Sequence, residues 1–260
     1  MNENLYIIKV GGNIIDDAAR LDTFLSAFAQ IKGRKILVHG GGKLATRLAA
    51  DLNIPQQMVD GRRITDAATL NIVTMVYAGL INKQIVAALN AKQSPAIGLS
   101  GADAQCILAH KRVHATIDYG FVGDVDQVHT PMLSSLLDQE LSVVMAPITQ
   151  DASGQLLNTN ADTIAQELAK ALALHYHTTL IYSFEKQGVL LDVNDENSVI
   201  PVITREKFGA LKADNAIFAG MIPKLENALV AVQAGVNKVI IGDATDLQAL
   251  ITGKNGTAIC

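Results

Sequence analysis

The chain has 260 residues, 49% of them hydrophobic and only 4% aromatic, with a formal net charge of −4. That length buries a substantial core, either in one large α/β domain or in two lobes. The mild negative charge and the scattered basic residues lack the electrostatic footprint that binding nucleic acid or an acidic membrane surface requires, so no partner of either kind is expected.

The first apolar run, LYIIKVGGNII, carries Lys9 inside a strand pattern and follows it with Gly11 and Gly12. A buried ammonium is costly unless paired, and glycines at a strand end allow a tight turn or a close approach to a ligand. An anion is expected there. The pattern RLDTFLSAFAQIK reads as a helix, KILVHGGG as a second strand and KLATRLAADLN as a second helix, which is the βαβα rhythm of a parallel sheet. The glycines of VHGGGK again stand between a strand and a helix, where backbone N–H groups approach a phosphate closely. Neither turn is a P-loop or a dinucleotide fingerprint.

In the loop DGRRIT, either Arg62 or Arg63 is suited to forking onto a carboxylate. Apolar positions at Leu70, Val73, Val76, Leu80 and Ile81 then predict a long helix over roughly 66–91. SPAIGLSG reads as a buried strand, CILAHKRV with YGFVGDVDQV as an exposed hairpin, and LSVVMAPIT as one further strand. DASGQLLN has the turn chemistry of a second hairpin. The helix in NADTIAQELAKALAL starts at Asn160 or Asp162.

From about His175 the rhythm restarts with TTLIYSF, GVLLD, the helical IPKLENALVAVQAG, NKVIIGD and a closing GTAI. No linker separates the halves, so two closely packed lobes with a crevice beyond the strand C-termini are expected. Lys224 lies in the first turn of a helix, where the helix dipole disfavours a cation and a nearby anion is therefore expected. The HYH at 175–177 lacks the spacing of a shared helix face, and no metal site is expected. Cys106 and Cys260 fit no zinc or redox spacing and agree with a reducing compartment. With no secretory leader pattern and no consecutive apolar run of about eighteen residues, a cytoplasmic protein without a membrane partner is expected.

IIKVGG, VHGGGK, DGRRITD, VGDV, NTNAD, GMIPKLENAL and GTAI, in this order and spacing, resemble the amino acid kinase family, and within it the branch of N-acetylglutamate kinases. The resemblance covers almost the whole chain. It implies an α/β fold, a three-layer αβα sandwich around a mostly parallel eight-stranded sheet. Residues 1–175 would form an N-terminal lobe for the acylglutamate and the dimer contact, and 176–260 a C-terminal lobe for ATP.

By the same resemblance, Lys9 and Lys224 match the two transition-state lysines, and Asp162 the carboxylate that holds both. Gly41, Gly42, Arg63, Asn158 and Asn160 match substrate-binding positions, with Arg63 on the α-carboxylate. Gly11, Gly12, Glu185, Gly220 and Met221 match positions facing the nucleotide or its phosphates. The implied activity is ATP-dependent phosphorylation of the γ-carboxylate of an N-acyl-L-glutamate, most simply N-acetyl-L-glutamate, as in the second step of arginine biosynthesis, with Mg²⁺ carried by ATP and no tightly bound cofactor. Uridylate or carbamate kinase chemistry, or a non-catalytic sensor on the same fold, are the competing readings. Where relatives commonly have TDVxGV, this chain has SFEKQGV, with Phe184 and Glu185 at the Thr and Asp positions. The quoted sequence also begins directly at the first strand, without the extra N-terminal helix of hexameric relatives; a homodimer joined partly through the helix at 66–91, insensitive to arginine, is the consequent expectation.

Overall fold

The computed structural model describes residues 3–59, 61–184, 186–192, 194–214, 216–217 and 221–260. Fourteen strands follow in chain order: β1 (Asn4–Val10), β2 (Arg34–His39), β3 (Met58–Val59), β4 (Arg62–Arg63), β5 (Ala96–Leu99), β6 (Ile107–Lys111), β7 (Val122–Val128), β8 (Ser142–Met145), β9 (Ile148–Gln150), β10 (Leu156–Thr159), β11 (His177–Ser183), β12 (Val202–Ile203), β13 (Lys238–Gly242) and β14 (Thr257–Ile259). The main sheet has eight strands in the order β12-β14-β13-β11-β1-β2-β8-β5. Every pairing in it is parallel except β13 with β14.

Alternation along β1 sets the layers. Leu5 and Ile7 join the core under the helices Ala161–Leu172 and Ile222–Gln233, whereas Ile8 and Val10 join the core under Ala18–Ala29 and the long helix after β4. A sheet buried on both faces needs near-continuous apolar strands, which LYIIKV and KILVH supply. This is the expected αβα sandwich. The chain leaves β1 toward β2 on one side and meets β11 on the other, so the crevice beyond the C-terminal ends of β1, β2 and β11 is a topological switch point.

The long helix runs Ala67–Ala91, starting where Asp66 accepts the Thr69 N–H at 2.7 Å. Its middle, Thr74–Ile81, is wound as a π-helix, a rare geometry that is frequent at functional sites. In length and mean hydropathy, 1.5, this helix would suit a membrane crossing, although no consecutive apolar run in it reaches eighteen residues. Val73, Val76, Ile81, Ile85 and Leu89 are nevertheless all but fully buried in the core.

Three expectations are corrected. LSVVMAPIT is two strands, because the chain turns at Ala146-Pro147 and leaves the main sheet; proline has no N–H to continue a ladder. The two hairpins are not separate exposed ribbons: β6 and β7, with β9 and β10, close into a four-stranded barrel around buried Ile107, Ala109, Val122 and Leu157. GVLLD forms no strand, only an isolated bridge between Leu190 and Val199. There Val189 is buried and its N–H is spent on the Thr257 hydroxyl, 2.8 Å away, instead of a ladder.

Candidate active site

Period-two alternation turns Lys9, the penultimate residue of β1, toward the face of the sheet covered by the helix Ala161–Leu172. That helix begins with Asn160 as its cap, the side-chain oxygen accepting from Asp162 N at 2.8 Å and Thr163 N at 3.2 Å. The question of which residue caps is thereby answered. Asp162, relieved of capping, sits in the first turn with its carboxylate 2.9 Å from the Lys9 ammonium. Its charge also lies where the helix dipole favours an anion.

Lys9 and Lys224 border one cleft of about 180 Å³, together with Asp162, Asn160, Thr163, Gln166, Tyr182, Ser183, Phe184, Asn227 and Arg62. Sequences far apart in the chain thus aim two ammoniums into one space. Lys224 lies in the first turn of Ile222–Gln233, and its ammonium stands 4.6 Å from the centre of the Phe184 ring. The resemblance implied that Asp162 holds both lysines; among the described residues its ion pair is with Lys9 alone. Phe184, at the divergent position of SFEKQGV, meets the second lysine with the negative face of its ring instead. Tyr182 floors the cleft and donates to the Asp162 backbone carbonyl at 3.3 Å. Burial, then the carboxylates of Asp162 and Glu167, push its phenol pKa up, so it stays protonated.

A second pocket of about 170 Å³ adjoins the first, sharing Arg62 and Asn160 with it. Gly40, Gly41 and Gly42 line one wall; Arg63, Tyr77, Val122, Asn158 and Thr159 line others. Gly41 has a φ of +147° and opens the helix Gly42–Asp51, and a Cβ there would lie 2.2 Å from Ile81 Cδ1. Only glycine fits between the turn and the π-helical segment.

The two arginines differ. Arg63 is buried, and its guanidinium donates to Gln56 Oε1, to the Gly42 carbonyl at 2.9 Å and to Thr46 Oγ1 at 3.0 Å. Thr65 bonds the Arg63 carbonyl at 2.9 Å and receives the Asn158 amide at 3.0 Å, so Arg63 and Asn158 are held as a unit. Arg62 lines both pockets. Burial, and then the Arg112 cation, lower its pKa against the opposing pull of Asp124. Tyr77 is held protonated by its burial, which outweighs the pull of neighbouring Arg63.

Gly11 and Gly12 follow β1 but line neither pocket. The Met221 side chain is buried in the core, away from both. Glu185 and Gly220 lie outside the described residues. Arg62, the other arginine of DGRRIT, is thus at the site as well, whereas nothing in the sequence singles out Tyr77, Tyr182, Gln166 or Asn227. These point inward only because of helix phase and strand register.

Residues 4–243 match the model of the amino acid kinase family. The chain is 55% identical over 259 residues to the acetylglutamate kinase of Phocaeicola vulgatus, covering 100% of this chain and 99% of that protein. It is 53% identical, over the same shares, to the acetylglutamate kinase of Bacteroides thetaiotaomicron. Among solved structures, Giardia carbamate kinase superposes with a TM-score of 0.71 at 14% identity, over 99% of this chain and 98% of that one, a likeness of fold.

Proposed function

The chain belongs to the amino acid kinase family, and from that premise we propose that it transfers the γ-phosphoryl group of ATP to the γ-carboxylate of an N-acyl-L-glutamate, N-acetyl-L-glutamate first. The single arrangement that carries this reading is the convergence of Lys9 and Lys224 on one cleft that opens onto a glycine- and arginine-lined pocket.

The acceptor carboxylate, with an ordinary pKa of about 4.3, is already ionised at neutral pH and needs no general base. The difficulty is that two anions must meet, and phosphoryl transfer is catalysed chiefly by positioning and by neutralising charge. In this reading Lys9 and Lys224 neutralise the migrating phosphoryl from two sides, and Asp162 orients Lys9. Gly41 and Gly42, which line the second pocket, turn backbone N–H groups toward phosphoryl and acceptor. Arg63, backed by Asn158 and Asn160, takes the α-carboxylate. Residues 1–175 hold the acceptor and 176–260 the nucleotide.

A magnesium ion carried in with ATP would supply positive charge against the diphosphate that leaves. Asp162, in the cleft with both lysines, is the carboxylate that would face such an ion. Both cysteines are free thiols, in keeping with a reducing, cytoplasmic setting. The helix Ala67–Ala91 leaves Met75 and Leu80 exposed, and this outer face is the proposed homodimer contact.

The test is ATP consumption with N-acetyl-, N-succinyl- and unmodified L-glutamate, with hydroxylamine trapping of the acyl phosphate. Turnover on an N-acylglutamate with trapped hydroxamate is expected. Inactivity on all three, or hydrolysis of ATP without hydroxamate, overturns the proposal.

A further inference from the structure

His39, the last residue of β2, is fully buried immediately before the glycine turn. Its ring makes two hydrogen bonds, Nδ1 to the Gly40 carbonyl at 2.8 Å and Nε2 to Asn82 Nδ2 at 3.3 Å. The surrounding groups fix which nitrogen carries the proton. Asn82 is itself 1% exposed. Its Nδ2 faces the Val144 carbonyl at 2.9 Å, which can only accept, and its Oδ1 receives the Lys83 ammonium at 3.1 Å, which can only donate. The amide therefore cannot be flipped, and its second N–H points at His39 Nε2. That nitrogen must accept, so the proton sits on Nδ1 and is donated to the Gly40 carbonyl.

The consequence reaches the pocket through one peptide plane. No cis bond occurs among the described residues, and in a trans peptide the carbonyl of Gly40 and the N–H of Gly41 point in opposite directions. Pinning the carbonyl inward on His39 turns the Gly41 N–H outward, and this N–H has no protein acceptor among the described residues. Gly40 and Gly41 both line the acceptor pocket. In a turn of three consecutive glycines the backbone has little intrinsic preference of its own, so an external anchor decides the orientation of that plane.

We infer that His39 is a positioning residue: as a neutral, Nδ1-protonated imidazole locked by Asn82, it aims the Gly41 N–H at the anion bound in the pocket. The network extends to Gly98 on β5, where a Cβ would come within 1.9 Å of Asn82 Oδ1, so glycine at that position is what seats the amide. The inference rests on the phosphoryl-transfer reading for what the anion is, and on hydrogen bonding alone for the state of the ring.

Two measurements test it. In full-length protein with ¹⁵N-labelled histidine, the His39 ring should show a protonated Nδ1 and an unprotonated Nε2 at neutral pH. An Nε2–H tautomer or an imidazolium there overturns the inference, whether or not the protein is a kinase. In steady-state kinetics, His39→Leu keeps bulk but loses the donor, and should lower kcat tenfold or more with KM for ATP within about threefold. His39→Asn places an amide N–H near the Nδ1 position and should recover most of that loss. Wild-type kcat in a folded His39→Leu protein, or equal losses in folded Leu and Asn variants, overturns it. Where either variant fails to fold, the tautomer of the wild-type protein decides. Failure of the functional reading looks different, since the wild-type protein itself would then turn over no acylglutamate.

Discussion

The Asp162 carboxylate lies 2.9 Å from the Lys9 ammonium because Asn160, two residues earlier, has taken over the capping of their shared helix. The pair is half open to solvent on the aspartate side, so its contribution to folding is small; the proposed function gives it the task of orienting a charge. Lys9→Met should lower kcat roughly 100- to 1,000-fold, about 3 to 4 kcal/mol, the scale of losing one preorganised charge at a transition state. Asp162→Asn should lose less than that, with a melting temperature close to wild type. A Lys9→Met enzyme with normal turnover contradicts the assignment.

Lys224 depends on an aromatic face instead of a carboxylate. Phe184→Ala removes a contact worth about 0.5 to 1 kcal/mol at such a site, and should change KM for ATP or kcat by no more than about fivefold. Phe184→Tyr should restore it. Lys224→Met should be far more damaging, by two orders of magnitude or so in kcat. Should Phe184→Ala prove as inactive as Lys224→Met, the ring does more than hold the ammonium.

Gly41→Ala places a methyl group against Ile81 and in a backbone conformation, φ +147°, that side chains avoid. A destabilisation of about 1 to 3 kcal/mol is expected, read as a lowered urea midpoint, with loss of activity larger than the stability change explains. Gly40→Ala meets nothing within 4 Å and serves as the control for the turn. Equal stability of both variants would refute the steric account.

Burial lowers the His39 pKa from its ordinary 6.5 to about 4. Unfolded, the imidazole takes up a proton below pH 6.5; folded, it resists until about pH 4. The unfolded state therefore binds more protons in that window and stability falls as pH falls through it, by about 3 kcal/mol in total. Chemical denaturation between pH 7.5 and 4.5 should show this slope, and His39→Asn should flatten it. An unchanged slope in that variant assigns the acid sensitivity to other groups.

The exposed Met75 and Leu80 lie on the outer face of the helix Ala67–Ala91. The proposed homodimer contact through this face predicts a dimer in sedimentation velocity at micromolar concentration that becomes monomer when both are replaced with glutamate, with the melting transition still cooperative, since neither side chain belongs to the buried core. A dimer that survives both substitutions is joined elsewhere.

Much of this protein was legible in its sequence, for identifiable reasons. The apolar runs LYIIKV and KILVH required a sheet covered on both faces. The 3.6-residue pattern after Asp66 required the long helix, and the glycines after both strands marked the turns, of which the one at Gly40, Gly41 and Gly42 lines a pocket. Those are local requirements, satisfied within a few residues. The amino acid order alone left open whether Asn160 or Asp162 caps its helix. Nor did it indicate that two hairpins close into a barrel, that Lys224 rests on Phe184, or that His39 anchors a peptide plane through Asn82. Each of these depends on which distant group arrives at hydrogen-bonding or van der Waals range, and side-chain partnership at such range is set by packing between elements far apart in the chain.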